Sequence, residues 1–167
     1  ATDHAALLLG ARVVLADVDP YLPLVDVQQI ISKITTKTKA IIPVHLNGRS
    51  ADMEAIMEVA KEYRLSVIED ACQSLFSKNQ KGYLGTQSDA GCFSFGMTKL
   101  LAAGQGGMIV THREELYHKL KMVRNHGVPD TFAASYTQLG LNFKFTDLLA
   151  SIGLVQLDRS GSRISHL

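Results

Sequence analysis

The fold is decided by the stretch MEAIMEVAKEYRLSVIED, residues 53–70, in which a helical pattern leads directly into a strand pattern. Over residues 53–63, apolar side chains recur every three or four positions, which predicts an amphipathic helix. Residues 66–68 then form a short apolar strand that ends at two carboxylates, Glu69 and Asp70. A helix that leads into a buried strand is typical of parallel α/β sheets.

The same alternation of helices and strands continues on both sides of this stretch. Short apolar runs predict strands at residues 12–18, 40–44, 90–95 and 107–110. Pro43 is expected to weaken the second of these strands at its centre. A first helix is predicted at 3–9, where Asp3 is the cap and Gly10 the stop, and a second at 27–34. The helix of the opening stretch begins near Asp52, and another follows a capping box formed by Thr111 and Glu114. A last helix is predicted at 147–157, with Thr146 as its cap.

This alternation predicts an α/β fold of three layers, in which a mostly parallel sheet is flanked by helices. Ligands bind such sheets just outside the carboxyl ends of the strands. The candidate site residues are therefore those that follow strands, namely His45, Glu69 with Asp70, and residues 94–99. The helix at 147–157 is apolar almost all round, so it needs cover from a subunit or domain partner.

Length and composition exclude several classes of protein. The 167 residues suggest one domain, and 46% apolar with 20% charged residues is ordinary for a globular chain. A net charge of +1 argues against nucleic-acid binding driven by bulk charge. No apolar run reaches the ~18 residues that a membrane span needs. The first residues have neither the basic nor the apolar region of a signal peptide, so a cytoplasmic location is expected.

Cysteine and histidine usage argues against a disulfide framework and against a metal site. Cys72 and Cys92 form no CxxC pair, and we interpret them as two buried thiols in a reducing compartment. The six histidines form no HxxxH or HExxH pair, so no metal centre is expected.

Three side chains near strand ends could carry chemistry, although each has an ordinary structural interpretation. Asp70 needs a cation or several donors, and it could equally be a helix N-cap or part of a salt bridge. Lys99 has apolar and small neighbours that would lower its pKa and favour the neutral amine of Schiff-base chemistry, but it could be a surface lysine in a turn. Ser94 could donate to a phosphate or be a strand serine. The loop Gly104-Gln-Gly-Gly107 could bring backbone N–H groups to an anion or be a flexible turn.

Several blocks of sequence that stand in a fixed order carry more information than any one residue. They are IIPVHLNG (41–48) with Ala51-Asp52, EDACQS (69–74), Gly85 with DAGCFSF (89–95), Thr98-Lys99, GQGGMIVT (104–111), VRNHG (123–127) and GLNFKFTD (140–147). Over about residues 1–159, the chain resembles the DegT/DnrJ/EryC1/StrS family of pyridoxal-phosphate-dependent sugar aminotransferases. The resemblance implies the aminotransferase fold of type I and pyridoxal 5′-phosphate (PLP) as cofactor.

The resemblance also implies a role for individual residues. Lys99 matches the lysine of an S-F-x-x-x-K pattern that forms a Schiff base with PLP, and it argues against the dehydratase branch, which has histidine there. In the E-D-x-x-Q pattern, Asp70 would pair with the pyridine nitrogen and Gln73 with the 3′ oxygen. Ser94 would contact the phosphate, and Asn142 would reach a phosphate in a neighbouring subunit. Two residues after Asn142, many members have arginine where this chain has Lys144.

The implied reaction is transamination. An amino group moves from glutamate or glutamine to a keto group of a nucleotide-linked sugar, a step of polysaccharide biosynthesis, in a homodimer. One alternative is a truncated, catalytically incompetent homologue that acts only as a binding or interaction module. A further one is another PLP reaction on the same fold, such as a dehydration or an aromatisation-linked step.

The family also implies a domain organisation. Its members are roughly twice this length or more, with a second, smaller domain. We therefore expect a fragment in which residues 1–159 are part of the PLP-binding large domain and residues 160–167 are a tail. The small C-terminal domain, the upstream Gly-Thr turn and the aromatic residue that stacks on the ring are expected to be absent from it.

Overall fold

A computed structural model describes residues 1–129, 135–136 and 138–165. The chain divides into two compact units, Ala1–Phe93 and Ser94–Leu167. The sequence of residues 129–140 predicts a loop, and half of these residues lie outside the described ranges.

The first unit contains most of the strands. Its elements in chain order are α1 (Thr2–Leu8), α2 (Val27–Lys33), β1 (Ala40–Ile41), a 3₁₀ turn (Leu46–Gly48), α3 (Met53–Tyr63), β2 (Ser66–Asp70), β3 (Lys78–Asn79), β4 (Gly82–Tyr83) and β5 (Ala90–Ser94), whose last residue belongs to the second unit.

Strand β2 lies between β1 and β5, and both pairings are parallel. Ile41 is in register with Val67, and Asp70 is in register with Cys92. Strands β3 and β4 form a separate antiparallel hairpin. The predicted mostly parallel sheet with flanking helices is confirmed, and it gathers the carboxyl ends of its strands at one edge.

The fold-deciding stretch forms the helix and strand that its pattern predicts. The side chain of Asp52 caps α3 by accepting a hydrogen bond from the backbone N–H of Ala55 at 3.1 Å. The apolar face of α3 is buried in a core shared with α2 and β2, and the core residues are Ile30, Ile41, Ala51, Met53, Ile56, Val59, Ala60 and Val67. This packing anchors the start of β2 and so determines where its carboxylates emerge.

Three predictions for the first unit need correction. Residues 12–18 do not form a strand: within the described ranges this run makes one β-bridge, from Val18 to Val25, and Leu15 is 77% exposed. Its composition suits a strand, but strands are stabilised by cross-strand pairs, which the run lacks here. Helix α1 begins after Ala1, so Asp3 lies in its first turn and does not cap it. Strand β2 continues through Glu69 and Asp70 instead of ending before them.

The second unit contains β6 (Gly107–Val110), α4 (Glu114–Arg124), α5 (Asp147–Asp158) and α6 (Ser160–Ile164). Thr146 caps α5 as predicted, by accepting a hydrogen bond from the Leu149 N–H. The predicted capping box before α4 is wrong, because the N-cap is Arg113, two residues after Thr111, and the Thr111 hydroxyl accepts from the Arg113 N–H before the helix begins. The segment predicted as a weakly structured tail contains α6.

Within the described residues, no helix has both the length and the apolar character needed to cross a membrane. The same part of the chain holds no group of three or more His, Cys, Asp or Glu side chains placed for a metal ion. Cys72 and Cys92 are free and half-buried, whereas full burial was predicted.

Candidate active site

Asp70 lies at the carboxyl end of β2, where the neighbouring chain segment locks its backbone. Its N–H donates to the carbonyl of Pro43 at 2.9 Å, and its carbonyl accepts from the N–H of His45 at 3.0 Å. The strand predicted at 40–44 is shortened to β1, and Pro43 lies beyond its end, although the carbonyl of Pro43 still accepts a hydrogen bond from β2. Both hydrogen-bonding groups of the Asp70 main chain are thereby bonded to the segment that follows β1.

The carboxylate of Asp70 is half-buried and accepts hydrogen bonds at both oxygens. Oδ1 accepts from the N–H of Cys72 at 3.1 Å, and Oδ2 accepts from the hydroxyl of Thr2 at 2.5 Å. The helix-cap interpretation of Asp70 is wrong, because a turn and not a helix follows it. The donors suit an ionised carboxylate whose direction is fixed.

The thiol of Cys92 lies close enough to Asp70 for the charge of Asp70 to affect its pKa. The two residues are in register on neighbouring strands. Burial and the negative charge of Asp70 both raise the pKa of the Cys92 thiol above its ordinary value. The thiol therefore stays protonated at neutral pH and adds no charge beside Asp70.

Gln73 lies in the turn after β2 and is exposed. Its side-chain oxygen accepts a hydrogen bond from the N–H of Asn47 at 3.2 Å. That contact orients the amide, so that its NH₂ group points away from the backbone of the 3₁₀ turn and can act as a donor.

A buried network beside Asp70 was missed by the sequence reasoning. Glu69 and His45 have no exposed side-chain surface, and His45 Nε2 lies 2.9 Å from Glu69 Oε2. Glu69 also accepts from the N–H groups of Gly85 and Gln87, both at 2.7 Å, and from the Ser88 hydroxyl at 2.9 Å. Burial alone would raise the pKa of Glu69, but these donors, His45 first, outweigh it and lower the pKa.

The network explains why a loop distant in sequence packs at this edge. A Cβ atom on Gly91 would fall 1.8 Å from the carbonyl oxygen of Gly85, so only glycine lets the loop approach β5. The available signal in the sequence was a Glu-Asp pair that ends a strand, with Gly85 and Gly91 further on. Spacing alone does not indicate which of the two carboxylates is buried.

In the second unit, Lys99 lies on a loop that is fixed at both ends. Gly96 and Gly104 form a parallel bridge, and the N–H of Ala103 donates to the carbonyl of Phe95 at 2.9 Å. The N–H of Lys99 itself donates to the carbonyl of Gly96 at 3.0 Å, and its side chain is half-buried. The lysine is thus held in a closed turn directly after β5.

Ser94, the last residue of β5, has a half-buried side chain whose oxygen accepts from the N–H of Gly96 at 3.3 Å. Because the hydroxyl accepts here, its own hydrogen can be donated elsewhere. The Gly104–Gly107 loop is packed against Phe145 at Gly106, so it is more ordered than a flexible turn.

Asn142 is exposed and forms an antiparallel bridge with Asn125. Two residues on, the ammonium of Lys144 lies 3.0 Å from Nε2 of His126 and 3.4 Å from Oδ1 of Asn125. The bridge places Asn142 at the surface of the second unit, where another molecule can reach it.

The predicted site residues therefore fall into two groups. Asp70 and Gln73 belong to the first unit, and Ser94, Lys99 and Asn142 belong to the second. Their chemistry fits PLP: an ionised carboxylate for the ring nitrogen, an amide for the 3′ oxygen, a hydroxyl for the phosphate and a primary amine for the carbonyl.

Comparison with known proteins agrees with this donor set. The chain is 36% identical over 159 residues to GDP-perosamine synthase of Caulobacter vibrioides, covering 95% of this chain and 43% of that protein. It is 43% identical over 153 residues to the UDP-N-acetyl-3-dehydro-α-D-glucosamine 3-aminotransferase of Acidithiobacillus ferrooxidans, covering 91% and 41%. The crystal structure of DesI in the presence of its TDP-sugar product superposes with a TM-score of 0.87 at 31% identity, covering 95% and 40%.

These comparisons point to one class of protein, the aminotransferases. Residues 1–166 match the DegT/DnrJ/EryC1/StrS aminotransferase family, and the chain belongs to that family. It spans less than half the length of the curated relatives named above. The comparisons give no support to the alternative of a truncated binding module.

Proposed function

We propose that this chain is the catalytic part of a PLP-dependent aminotransferase that moves an amino group from glutamate or glutamine to a keto group of a nucleotide-linked sugar. The observation that carries the proposal is the Asp70 carboxylate, which two donors orient at the carboxyl end of a parallel strand. That is where α/β sheets bind ligands.

In this proposal each predicted residue has a role towards the ring or one of its substituents. Asp70 keeps a proton on the ring nitrogen, because a carboxylate within hydrogen-bond reach favours the protonated form. Gln73 donates to the 3′ oxygen and Ser94 to the phosphate. When bound, PLP supplies an electron sink that stabilises negative charge on the substrate carbon beside the transferred nitrogen.

Lys99 has two tasks in the proposal. With PLP bound, the Nζ of Lys99 would hold the cofactor covalently to the protein. When not so bonded, the same Nζ would take up the proton that leaves the substrate carbon. The fixed ends of its loop limit the volume that the amine samples, which favours both steps.

The names of relatives support the substrate class. The relatives include a GDP-perosamine synthase, an enzyme named for a UDP-linked sugar and a structure with a TDP-sugar product, so different nucleotides occur in the family. Glutamine as donor is supported by a relative whose name gives L-glutamine as one of its two substrates. A homodimer in the cytoplasm, with Asn142 reaching the partner's cofactor phosphate, completes the proposal.

Covalent trapping of PLP on the chain tests the proposed function. The chain is mixed with PLP, reduced with borohydride, digested and analysed by mass spectrometry. We expect one pyridoxyl group on Lys99, its loss in Lys99→Ala, and normal labelling in Lys119→Ala, whose lysine is exposed on α4. Labelling that spares Lys99, or that survives Lys99→Ala at full yield, would reject the proposal.

A further inference from the structure

The carboxylate of Asp70 accepts a hydrogen bond from a residue that is far from it in sequence, near the start of the first unit. The Thr2 hydroxyl donates to Oδ2 of Asp70 across 68 positions of sequence, in a half-buried setting. The remaining oxygen, Oδ1, receives the local N–H of Cys72. A carboxylate accepts about four hydrogen bonds, so both contacts are compatible with a third donor such as a ring N–H.

The hydrogen bonds from Cys72 and Thr2 tie the Asp70 carboxylate to different parts of the first unit. The Cys72 N–H lies two residues from Asp70 and belongs to the turn that follows β2, so it moves with that turn. Thr2 is the first residue of α1, a separate element, and its hydroxyl has a single hydrogen to donate. Hydrogen bonds from two separate elements restrict the rotation of a carboxylate more than the local bond alone does.

We propose that Thr2 is a positioning residue whose hydroxyl fixes the plane of the Asp70 carboxylate for a cofactor ring nitrogen; this rests on the proposed function. Thr2 acts through Asp70 and does not touch the reacting atoms.

The direction in which the pKa of the ring nitrogen changes, when the Thr2 hydroxyl is removed, separates a positioning role of Thr2 from a purely electronic one. A hydrogen bond from Thr2 withdraws charge from the carboxylate, so losing it with Asp70 still in place would strengthen the carboxylate and raise the pKa of the ring nitrogen. If Thr2 positions Asp70, losing the hydroxyl lets the carboxylate turn away, and the pKa of the ring nitrogen falls.

The experiment measures the protonation of the ring nitrogen directly. PLP labelled with ¹⁵N in the ring is bound to the wild-type chain, to Thr2→Val and to Thr2→Ser, and its nitrogen resonance is followed against pH. Valine keeps the branched shape without the hydroxyl, and serine keeps the hydroxyl without the methyl group. We expect the pKa of the nitrogen to fall by about one unit in Thr2→Val, and Thr2→Ser to restore most of it.

Ionisable groups approach Asp70 from several elements. Those on α1 (the amino group of Ala1, Asp3 and His4), Cys72 in the turn and His45 after β1 are the same in all three chains, so any change in their charge is common to the comparison. Glu69 points to the other face of β2 and is buried with a lowered pKa, and the Cys92 thiol beside Asp70 has a raised pKa, so neither changes charge near neutral pH. Circular dichroism of Thr2→Val checks that α1 and the sheet are retained.

Each outcome bears on one proposal or the other. A pKa that is unchanged or raised in Thr2→Val, with a normal wild-type titration, overturns the role of Thr2 and leaves the proposed function intact. A Thr2→Ser variant that titrates like Thr2→Val also overturns it, because the hydroxyl would then be irrelevant. A wild-type chain whose ring nitrogen does not respond to Asp70→Asn overturns the role of Asp70, and that of Thr2 with it.

Discussion

The imidazole of His45 donates from Nε2 to the carboxylate of Glu69 across 2.9 Å, and neither side chain is exposed to solvent. Its other nitrogen, Nδ1, accepts from the N–H of Ala51 at 3.1 Å, so the hydrogen of the neutral ring is on Nε2. The pair joins the segment after β1 to the end of β2. Through Gly85 and Gln87 it also ties the 85–88 loop to the same point.

Glu69→Gln should strongly destabilise the first unit. An amide replaces one acceptor oxygen with a donor NH₂ group, which then faces N–H groups that already donate to this site. We expect a loss of about 3 kcal/mol in the free energy of unfolding, measured by urea denaturation. Glu54→Gln is the matched control: its carboxylate is exposed in a surface pair with Lys81, and the change should cost at most about 1 kcal/mol. Equal effects of the two substitutions would contradict the buried network.

The contribution of Glu69 should also depend on pH in a defined direction. Because the folded-state pKa is lowered, its stabilisation is fully present above the unfolded pKa of about 4.3 and is lost as pH falls through the folded value. The difference in unfolding free energy between wild type and Glu69→Gln should be flat from about pH 6 to 8 and shrink only below about 4.3. A decline that begins near pH 6 would mean that the pKa is raised instead.

The sequence predicts elements whose signal is local. The α3–β2 unit was predictable because the periodicity from Met53 onward and the Asp52 cap are contained in a short window. Residues 12–18 carry an equally good strand pattern, but a strand also needs a partner, which a local window does not contain. Thr111 was wrongly predicted as a cap because the helix begins two residues later than the motif suggests.

The same limit applies to the site. Asp70 and Lys99 could be proposed because they follow predicted strands within conspicuous motifs. The side-chain contacts around the site could not be predicted, because Thr2 is 68 positions from its partner Asp70 and His45 is 24 positions from its partner Glu69. Contacts at such separations depend on the register of the sheet and on the approach of loops, which residue patterns do not encode.

Asp70→Asn should slow transamination far more than it weakens PLP binding. Asparagine keeps the size and can still bond the neighbouring donors, but it carries no charge to hold a proton on the ring nitrogen. We expect kcat for a keto-sugar substrate to fall by about 100-fold or more, with a much smaller change in the PLP dissociation constant. Asp158→Asn, an exposed carboxylate at the end of α5, is the control and should leave both values unchanged. An unaltered kcat in Asp70→Asn would count against the electron-sink role.

Gly106→Ala should destabilise the second unit through a steric clash. Gly106 has φ +110, and a Cβ atom there would fall 2.5 Å from Cε2 of Phe145. The strained backbone and the displaced ring should together cost about 2 kcal/mol in unfolding free energy. Gly161→Ala is the matched control, because nothing lies within 4 Å of its Cβ position in helix α6. It should be neutral or slightly stabilising, since alanine favours helix. Similar losses for both variants would exclude the clash as the cause.

The apolar surface of α5 should be covered by a second copy of the chain. Leu148 is 73% exposed and Leu154 is 63% exposed, a costly arrangement for leucines on one helix. In the proposed homodimer this surface is buried, so Leu148→Glu with Leu154→Glu should shift the mass measured by sedimentation equilibrium from dimer to monomer. Leu139→Glu places the same charge on a leucine that is 88% exposed outside the helix, and it should leave the mass unchanged. A wild-type chain that sediments as a monomer, or a double variant that stays dimeric, would show that α5 does not form the interface.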